Sequence, residues 1–143
     1  MSEKITPHVV PSFSVESIEP MRNFYIEKLG FTHMMAITGK DGKLDTAVVV
    51  RDGMTVMMGR PEKRIEGAEI KSKQGRAVDI YFYINDVDAY HAEVTARGVE
   101  IFDPLTTHWW GDRSFAVKDP YGYSIWFSQT VGEFQPPPGI EAT

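Results

Sequence analysis

The chain repeats one short pattern, and this repeat constrains its fold more than any other sequence feature. Residues 51–58 read RDGMTVMM and residues 118–127 read KDPYGYSIWF. In both segments a basic residue, an aspartate and a glycine precede a short apolar stretch. Turn residues of this kind before an apolar run are typical of a β-hairpin. Two such hairpins indicate that the chain contains two copies of one unit.

The elements around these hairpins recur in the same order. The first half predicts a strand, a helix and three strands, at residues 8–15, 17–30, 31–38, 44–50 and 54–59. The second half predicts the same series at residues 77–84, 86–98, 99–105, 113–119 and 123–129. Val10 then corresponds to Asp79 and Met57 to Trp126, both at an offset of 69 residues. The sequence therefore predicts two modules of the same topology.

One domain accounts for the length of the chain, since 143 residues can bury a single core. The segment RPEKRIEGAEIKSKQGR is polar, charged and glycine-bearing, which is typical of a linker or a mobile loop. We predict one domain over residues 1–130, followed by an extended, Pro-rich tail at 131–143. Within the domain, module one, the linker and module two are predicted at residues 5–60, 61–76 and 77–130.

Composition and charge narrow the range of partners. The formal net charge is −5, which argues against nucleic acid and anionic membranes because phosphate binding needs clustered Lys and Arg. The absence of cysteine excludes disulfides, thiolate catalysis and Cys-type zinc sites. The apolar stretches are much shorter than the roughly 20 residues that span a bilayer, and the N-terminus lacks a signal-peptide core. We therefore expect a cytoplasmic protein.

Three motifs in register resemble the vicinal-oxygen-chelate superfamily, which includes glyoxalase I, bleomycin-resistance proteins and extradiol dioxygenases. The first-helix signature of that family is similar to SIEPMRNFYIEKLGF at 17–31, and its second helix is similar to INDVDAYHAEVTARGVE at 84–100. Its closing hairpin is similar to VKDPYGYSIWF at 117–127. The resemblance implies an α+β fold of two βαβββ modules in a pseudo-two-fold repeat, with sheets that curl into a ligand-binding cup.

Strand alternation predicts which side chains line that cup, since successive side chains point to opposite faces of a sheet. In the strand at 77–84, one face is uniformly apolar and is expected to pack on the helix. The opposite face and its equivalents in the repeat are therefore expected to line the cup. These residues are Val10, Ser12, Ser14, Met57, Asp79, Tyr81, Tyr83 and Trp126.

The resemblance also locates the family's metal ligands. Metal-dependent members use His, Gln or Glu at four cup positions, which correspond here to Val10, Met57, Asp79 and Trp126. Valine and tryptophan offer no ligand atom, and a thioether is a poor ligand for hard or borderline divalent ions. We therefore predict no metal site and no cofactor. A displaced site stays open, because His8 lies two residues before Val10 on the same strand face.

The remaining signal is aromatic. Trp109 and Trp110 are adjacent, ahead of a strand that returns to the cup, and Trp126 is predicted to point into it. Flat aromatic walls with a few polar groups suit a planar or amphipathic organic ligand. Arg113 is the candidate contact for an anionic group on that ligand. The alternative is that the rings fill the cup as core or form a dimer interface.

Two functional hypotheses follow. The favoured one is a metal-independent small-molecule-binding protein, similar to the bleomycin-resistance branch, that sequesters an antibiotic or toxin without transforming it. Resemblance to that branch also implies a homodimer. The alternative is a lyase, isomerase or dioxygenase of the same superfamily, with a displaced metal or with Asp79 as general base. Burial beside apolar walls raises the pKa of a carboxyl group towards neutrality, which suits base chemistry.

Overall fold

Two four-stranded sheets, each with one helical element, make up the part of the chain that the computed structural model describes, residues 9–60 and 79–141. The first module contains β1 (Ser12–Ser14), α1 (Ile18–Asn23) with a π-helical extension (Phe24–Lys28), β2 (Thr32–Thr38), β3 (Leu44–Arg51) and β4 (Met54–Gly59). The second contains β5 (Ile80–Tyr83), α2 (Val87–Ala96), β6 (Ile101–Thr107), β7 (Asp112–Lys118) and β8 (Ser124–Thr130). The predicted α+β fold of two βαβββ modules is confirmed. His8 and the linker at 61–76 lie outside the described residues.

Strand pairing shows that the sequence repeat is also a geometric repeat. The sheet orders are β1-β4-β3-β2 and β5-β8-β7-β6. In the first sheet Ser12 pairs with Met57, and in the second Tyr81 pairs with Trp126, both between parallel strands. Ser12 corresponds to Tyr81 and Met57 corresponds to Trp126, both at the offset of 69 residues found in the sequence. Met57 and Trp126 therefore occupy equivalent positions in the two sheets.

Local sequence signals account for the turns and for the start of the second helix. Asp52 and Gly53 both have positive φ, 46° and 81°, as the two central residues of a tight hairpin require. Asp86 caps α2, since its Oδ1 accepts a hydrogen bond from the backbone N–H of Ala89 at 3.0 Å. No helix in the described ranges has the length and apolar character needed to cross a membrane.

A single core joins the two modules. It contains the apolar helix-facing sides of both sheets together with the buried faces of both helices. Phe13 and Met58 contribute from the first sheet, Phe82 and Phe127 from the second, and Tyr25 from the first helical element. Because the modules pack through their helix-facing sides, the opposite, concave faces of the two sheets lie outside this core.

A half-buried ion pair fixes the two modules to each other. The Arg51 guanidinium donates to the Glu93 carboxylate at 2.7 and 2.8 Å and to the backbone oxygen of Gly30 at 3.0 Å. It also lies 4.8 Å from the centroid of the Tyr90 ring. The Tyr90 hydroxyl donates to the backbone oxygen of Leu29 at 2.7 Å. Such a two-point, charge-assisted contact sets orientation as well as adding energy.

Candidate ligand-binding cleft

The concave face of the second sheet forms a cleft of about 600 Å³. Strands β5, β6, β7 and β8 supply most of its lining, and the turn between β6 and β7 supplies one wall. A volume of this size is in the range of small-molecule sites. All the lining residues belong to the second module, and they are Tyr81, Tyr83, Asp103, His108, Trp110, Asp112, Ser114, Trp126 and Ser128.

Two stacked rings form the base of the cleft. Tyr81 and Trp126 lie side by side on paired strands, with ring centroids 5.3 Å apart and an interplanar angle of 9°. On its other side, Trp126 pairs with Ala116 of β7. Tyr81 is 52% exposed and Trp126 is half-buried. Because the rings are stacked, each covers part of one face of the other, and both residues contribute aromatic surface to the lining of the cleft.

A second stacked pair forms the wall next to it. The ring of His108 lies parallel to Trp110, with centroids 4.1 Å apart and an interplanar angle of 4°. The Nε2 of His108 lies 3.1 Å from the Oγ of Ser114. Ser114 is buried and pairs with Ser128 between strands β7 and β8. The cleft thus combines aromatic surfaces with hydroxyl and imidazole groups that can accept or donate hydrogen bonds.

Acidic groups flank both cleft tyrosines. The hydroxyl of Tyr83 donates to Asp112 Oδ2 at 2.8 Å, and this hydrogen bond is the main cause that raises the pKa of Tyr83. Burial is the main cause that raises the pKa of Tyr81, and the carboxylates of Asp79 and Asp103 raise it further. Both phenols therefore stay protonated around neutral pH and can act as hydrogen-bond donors.

The C-terminal segment supports the turn that carries His108 and Trp110. The backbone oxygen of Gly111 accepts hydrogen bonds from the N–H groups of Val131 and Gly132 at 2.9 and 3.0 Å. The ring of Phe134 packs against Trp109, with centroids 5.2 Å apart. A side chain at position 111 would lie 2.6 Å from the Gly132 oxygen, so this close approach requires glycine.

Four of the residues that the sequence assigned to a ligand site meet in this cleft. They are Tyr81, Tyr83, Trp110 and Trp126. Asp79, the candidate general base, is exposed and precedes β5, and it is not part of the cleft wall.

The other predicted site residues lie elsewhere. Ser12 and Met57 are on the first sheet, so one chain does not bring them to the aromatic cleft. Trp109 is next to the cleft but packs on Phe134. Arg113 lies on the opposite side of β7 from Ser114 and forms an ion pair with Asp88 of α2 at 3.0 Å. Arg113 is therefore not available as an anion contact in the cleft, and it lowers the pKa of Asp88 instead.

Some lining residues were missed at the level of sequence. Alternation along β7 could have identified Asp112 and Ser114, because both share a face with Ala116. Asp103 was harder to place, since register shifts in β6 on both sides of it break simple alternation. His108 reaches the cleft through a turn, for which the sequence offers no periodic signal.

The residues at the family's four ligand positions do not fit a divalent metal ion. Val10 and Met57 offer no oxygen or nitrogen side-chain atom, and the indole N–H of Trp126 is only a donor. Asp79 alone supplies an oxygen ligand. Within residues 9–60 and 79–141, no group of three or more His, Asp or Glu side chains is placed to hold a metal. These four positions therefore lack the set of oxygen and nitrogen ligands that such an ion requires.

A smaller groove of about 380 Å³ lies between the modules. Its charged groups already have partners, since Arg51 binds Glu93 and Asp86 caps α2. This arrangement suits a structural contact, and the aromatic cleft of the second module remains the stronger candidate for ligand binding.

Comparison with known sequences identifies one family. The sequence profile described as Glyoxalase/Bleomycin resistance protein/Dioxygenase superfamily matches residues 6–127. An uncharacterized protein of Mycobacterium bovis is 28% identical over 136 residues, which cover 93% of this chain and 90% of that protein. The match extends over nearly the whole chain.

Solved structures show the same fold. TnmS3, an antibiotic binding protein from Streptomyces sp. CB03234, is 24% identical with a TM-score of 0.66, and the match covers 90% of this chain and 99% of that one. A glyoxalase-related enzyme from Clostridium phytofermentans is 16% identical with a TM-score of 0.68, covering 90% and 98%. At these identities the likeness establishes the fold, which binding proteins and enzymes share.

Proposed function

The chain belongs to the glyoxalase/bleomycin resistance protein/dioxygenase superfamily, and on that premise we propose that it binds a small organic ligand without a metal or another cofactor. The ligand occupies the cleft of the second module and leaves it chemically unchanged, as in the bleomycin-resistance branch of the superfamily. The observation that carries this proposal is the stacking of Trp126 on Tyr81, since resemblance to the superfamily implies a metal-binding carboxylate at the position of Trp126. The similarity in fold to TnmS3, an antibiotic binding protein, supports the same type of function.

The enzyme alternative has less support from the geometry. A general base at Asp79 would need a desolvated position beside the bound ligand, whereas Asp79 is exposed and outside the cleft wall. A displaced metal would depend on His8, which lies outside the described residues. The cleft itself offers surfaces for stacking and hydrogen bonding, which favours binding over transformation.

We also propose that the protein acts as a homodimer. The first concave face is apolar along the row that corresponds to the cleft base, where Met57 pairs with Val48 and Val48 pairs with Met35. Met35 and, on the same strand, Ile37 are about half exposed. Exposed apolar surface of this kind marks an interaction site. A second copy that places this face opposite the aromatic cleft would shield the exposed apolar side chains and leave the ligand between the two surfaces.

The proposal is tested with purified protein, a chelator and a panel of aromatic antibiotics. Binding is measured by calorimetry before and after treatment with EDTA, and each bound compound is released by denaturation and its mass determined. We expect at least one compound to bind with the same affinity in both samples and to be recovered unchanged. Binding that depends on added Zn²⁺, Fe²⁺, Ni²⁺ or Mn²⁺, or a recovered compound of altered mass, would contradict the proposal.

A further inference from the structure

We infer that the cleft selects a cationic aromatic ligand, such as a ring system that carries a protonated amine or a quaternary nitrogen. This inference rests on the proposed binding function and adds the charge of the ligand to it. Two features carry the inference. They are the sign of the charges that line the cleft and the number of aromatic faces beside them.

The charged groups of the cleft are acidic. Asp103 and Asp112 both line it, and Asp79 lies close enough to Tyr81 to influence the ionisation of that tyrosine. Asp112 accepts hydrogen bonds from two neutral hydroxyls, those of Tyr83 at 2.8 Å and Thr130 at 3.0 Å, so its charge is not neutralised by an ion pair. Among the described residues, Asp103 has no ion-pair partner. A concave surface with one sign of charge concentrates ions of the opposite sign.

The basic residues nearest in sequence to the cleft residues on β7 are engaged elsewhere. Arg113 points to the helix side and pairs with Asp88. Lys118 lies at the end of β7, where its Nζ is 4.3 Å from the centroid of the Phe102 ring, and it is not a lining residue. No Lys or Arg within residues 9–60 and 79–141 lines the cleft. An anionic ligand would therefore meet uncompensated carboxylates.

The aromatic surfaces suit the same type of ligand. The Tyr81–Trp126 stack and the His108–Trp110 stack both line the cleft, and the face of an indole or phenol ring attracts a cation. Tyr81 is 52% exposed and Tyr83 is 62% exposed, so both rings are open to a ligand. A planar cation can stack on these faces while its charge lies near Asp103 or Asp112.

Three probes of matched shape and different charge test the inference. They are N-methylquinolinium, 1-methylnaphthalene and 1-naphthoate, which are cationic, neutral and anionic. Each is titrated into the wild-type protein and into the Asp103→Asn variant, at low and at high salt. Asp52→Asn is the matched control, since it removes the same charge at an exposed position outside the cleft. Asp112→Asn is a second variant for the other lining carboxylate, and thermal melts establish that each variant is folded.

We expect the cation to bind at least about tenfold more tightly than the neutral probe, and the anion to bind least. Asp103→Asn or Asp112→Asn should lower the affinity for the cationic probe about fivefold and have little effect on the affinity for the neutral probe. Asp52→Asn should leave the affinities for all three probes unchanged. High salt should also lower the affinity for the cationic probe, because salt screens its attraction to the carboxylates.

Equal or tighter binding of 1-naphthoate or 1-methylnaphthalene would overturn the inference, and so would an unchanged cation affinity in both cleft variants. Absence of binding by all three probes overturns it as well. None of these outcomes bears on the antibiotic panel, whose criteria are independence from metal and recovery of an unaltered compound. Failure of the charge inference and failure of the proposed function are therefore distinguishable.

Discussion

Replacing Trp126 with phenylalanine should leave the free energy of unfolding close to that of the wild type. Phenylalanine keeps a ring against Tyr81 but loses roughly 40 Å² of buried apolar surface, worth about 1 kcal/mol. The substitution also removes the indole N–H, which is buried without a hydrogen-bond partner among the described residues. An unsatisfied buried donor costs about 1–3 kcal/mol. The two effects partly offset each other, so we expect wild-type stability or a gain of up to about 2 kcal/mol.

Urea denaturation followed by circular dichroism measures this difference. Phe127→Ala is the core control, since Phe127 is the next residue along β8 and is fully buried. The Phe127→Ala variant should have a free energy of unfolding about 3–5 kcal/mol below that of the wild type. A loss of more than about 2 kcal/mol for Trp126→Phe would show that the indole is packed as core, because a large packing loss would then outweigh the gain from the removed donor.

The same variant should bind ligand more weakly even though it is stable. The ring that remains offers less stacking area, so the affinity of an aromatic ligand should fall several-fold. Phe102→Leu is the control, because it changes an exposed aromatic ring outside the cleft lining. Equal affinities for the wild type and Trp126→Phe, measured by calorimetry, would refute the role of Trp126 as a ligand wall.

Three further outcomes are expected. Light scattering at micromolar concentration should give the mass of a dimer, and a monomer mass would contradict the proposed homodimer. Phe134→Ala should weaken ligand binding and increase amide exchange around Trp109. Ile140→Ala, at a similarly exposed position, should do neither. Equal amide exchange in both variants would show that the C-terminal segment does not support the turn. Burial raises the pKa values of Tyr25 and Tyr90, so the unfolded chain loses these protons first and the free energy of unfolding should fall above about pH 10. A constant value between about pH 8 and pH 11 in urea denaturation would contradict this assignment.

The repeat allowed the fold to be predicted because each element of the first module has an equivalent in the second. The observed pairs Ser12–Met57 and Tyr81–Trp126 are related to each other by the predicted offset of 69 residues. Alternation likewise placed Tyr81 and Tyr83 on the exposed face and Phe82 in the core. Periodicity of this kind depends only on local geometry, which the sequence specifies well.

The arrangement of the two modules depends on longer-range contacts, which the repeat does not encode. A shared cup was expected to include Ser12 and Met57, but the modules pack through their helix-facing sides and place those residues on a different surface. Arg113 illustrates the same limit. Its position before an apolar strand suggested a cleft contact, and only the packing of α2 against β7 brings it to Asp88.

A crystal structure with N-methylquinolinium bound would show whether the aromatic cleft is the binding site. We expect the ring to lie against the Tyr81–Trp126 stack, with its charged nitrogen near Asp103 or Asp112 and no metal ion between ligand and protein. Density for the ligand in the groove beside Arg51 and Tyr90, or a metal-coordinated ligand, would contradict the assignment of the aromatic cleft as a metal-independent binding site.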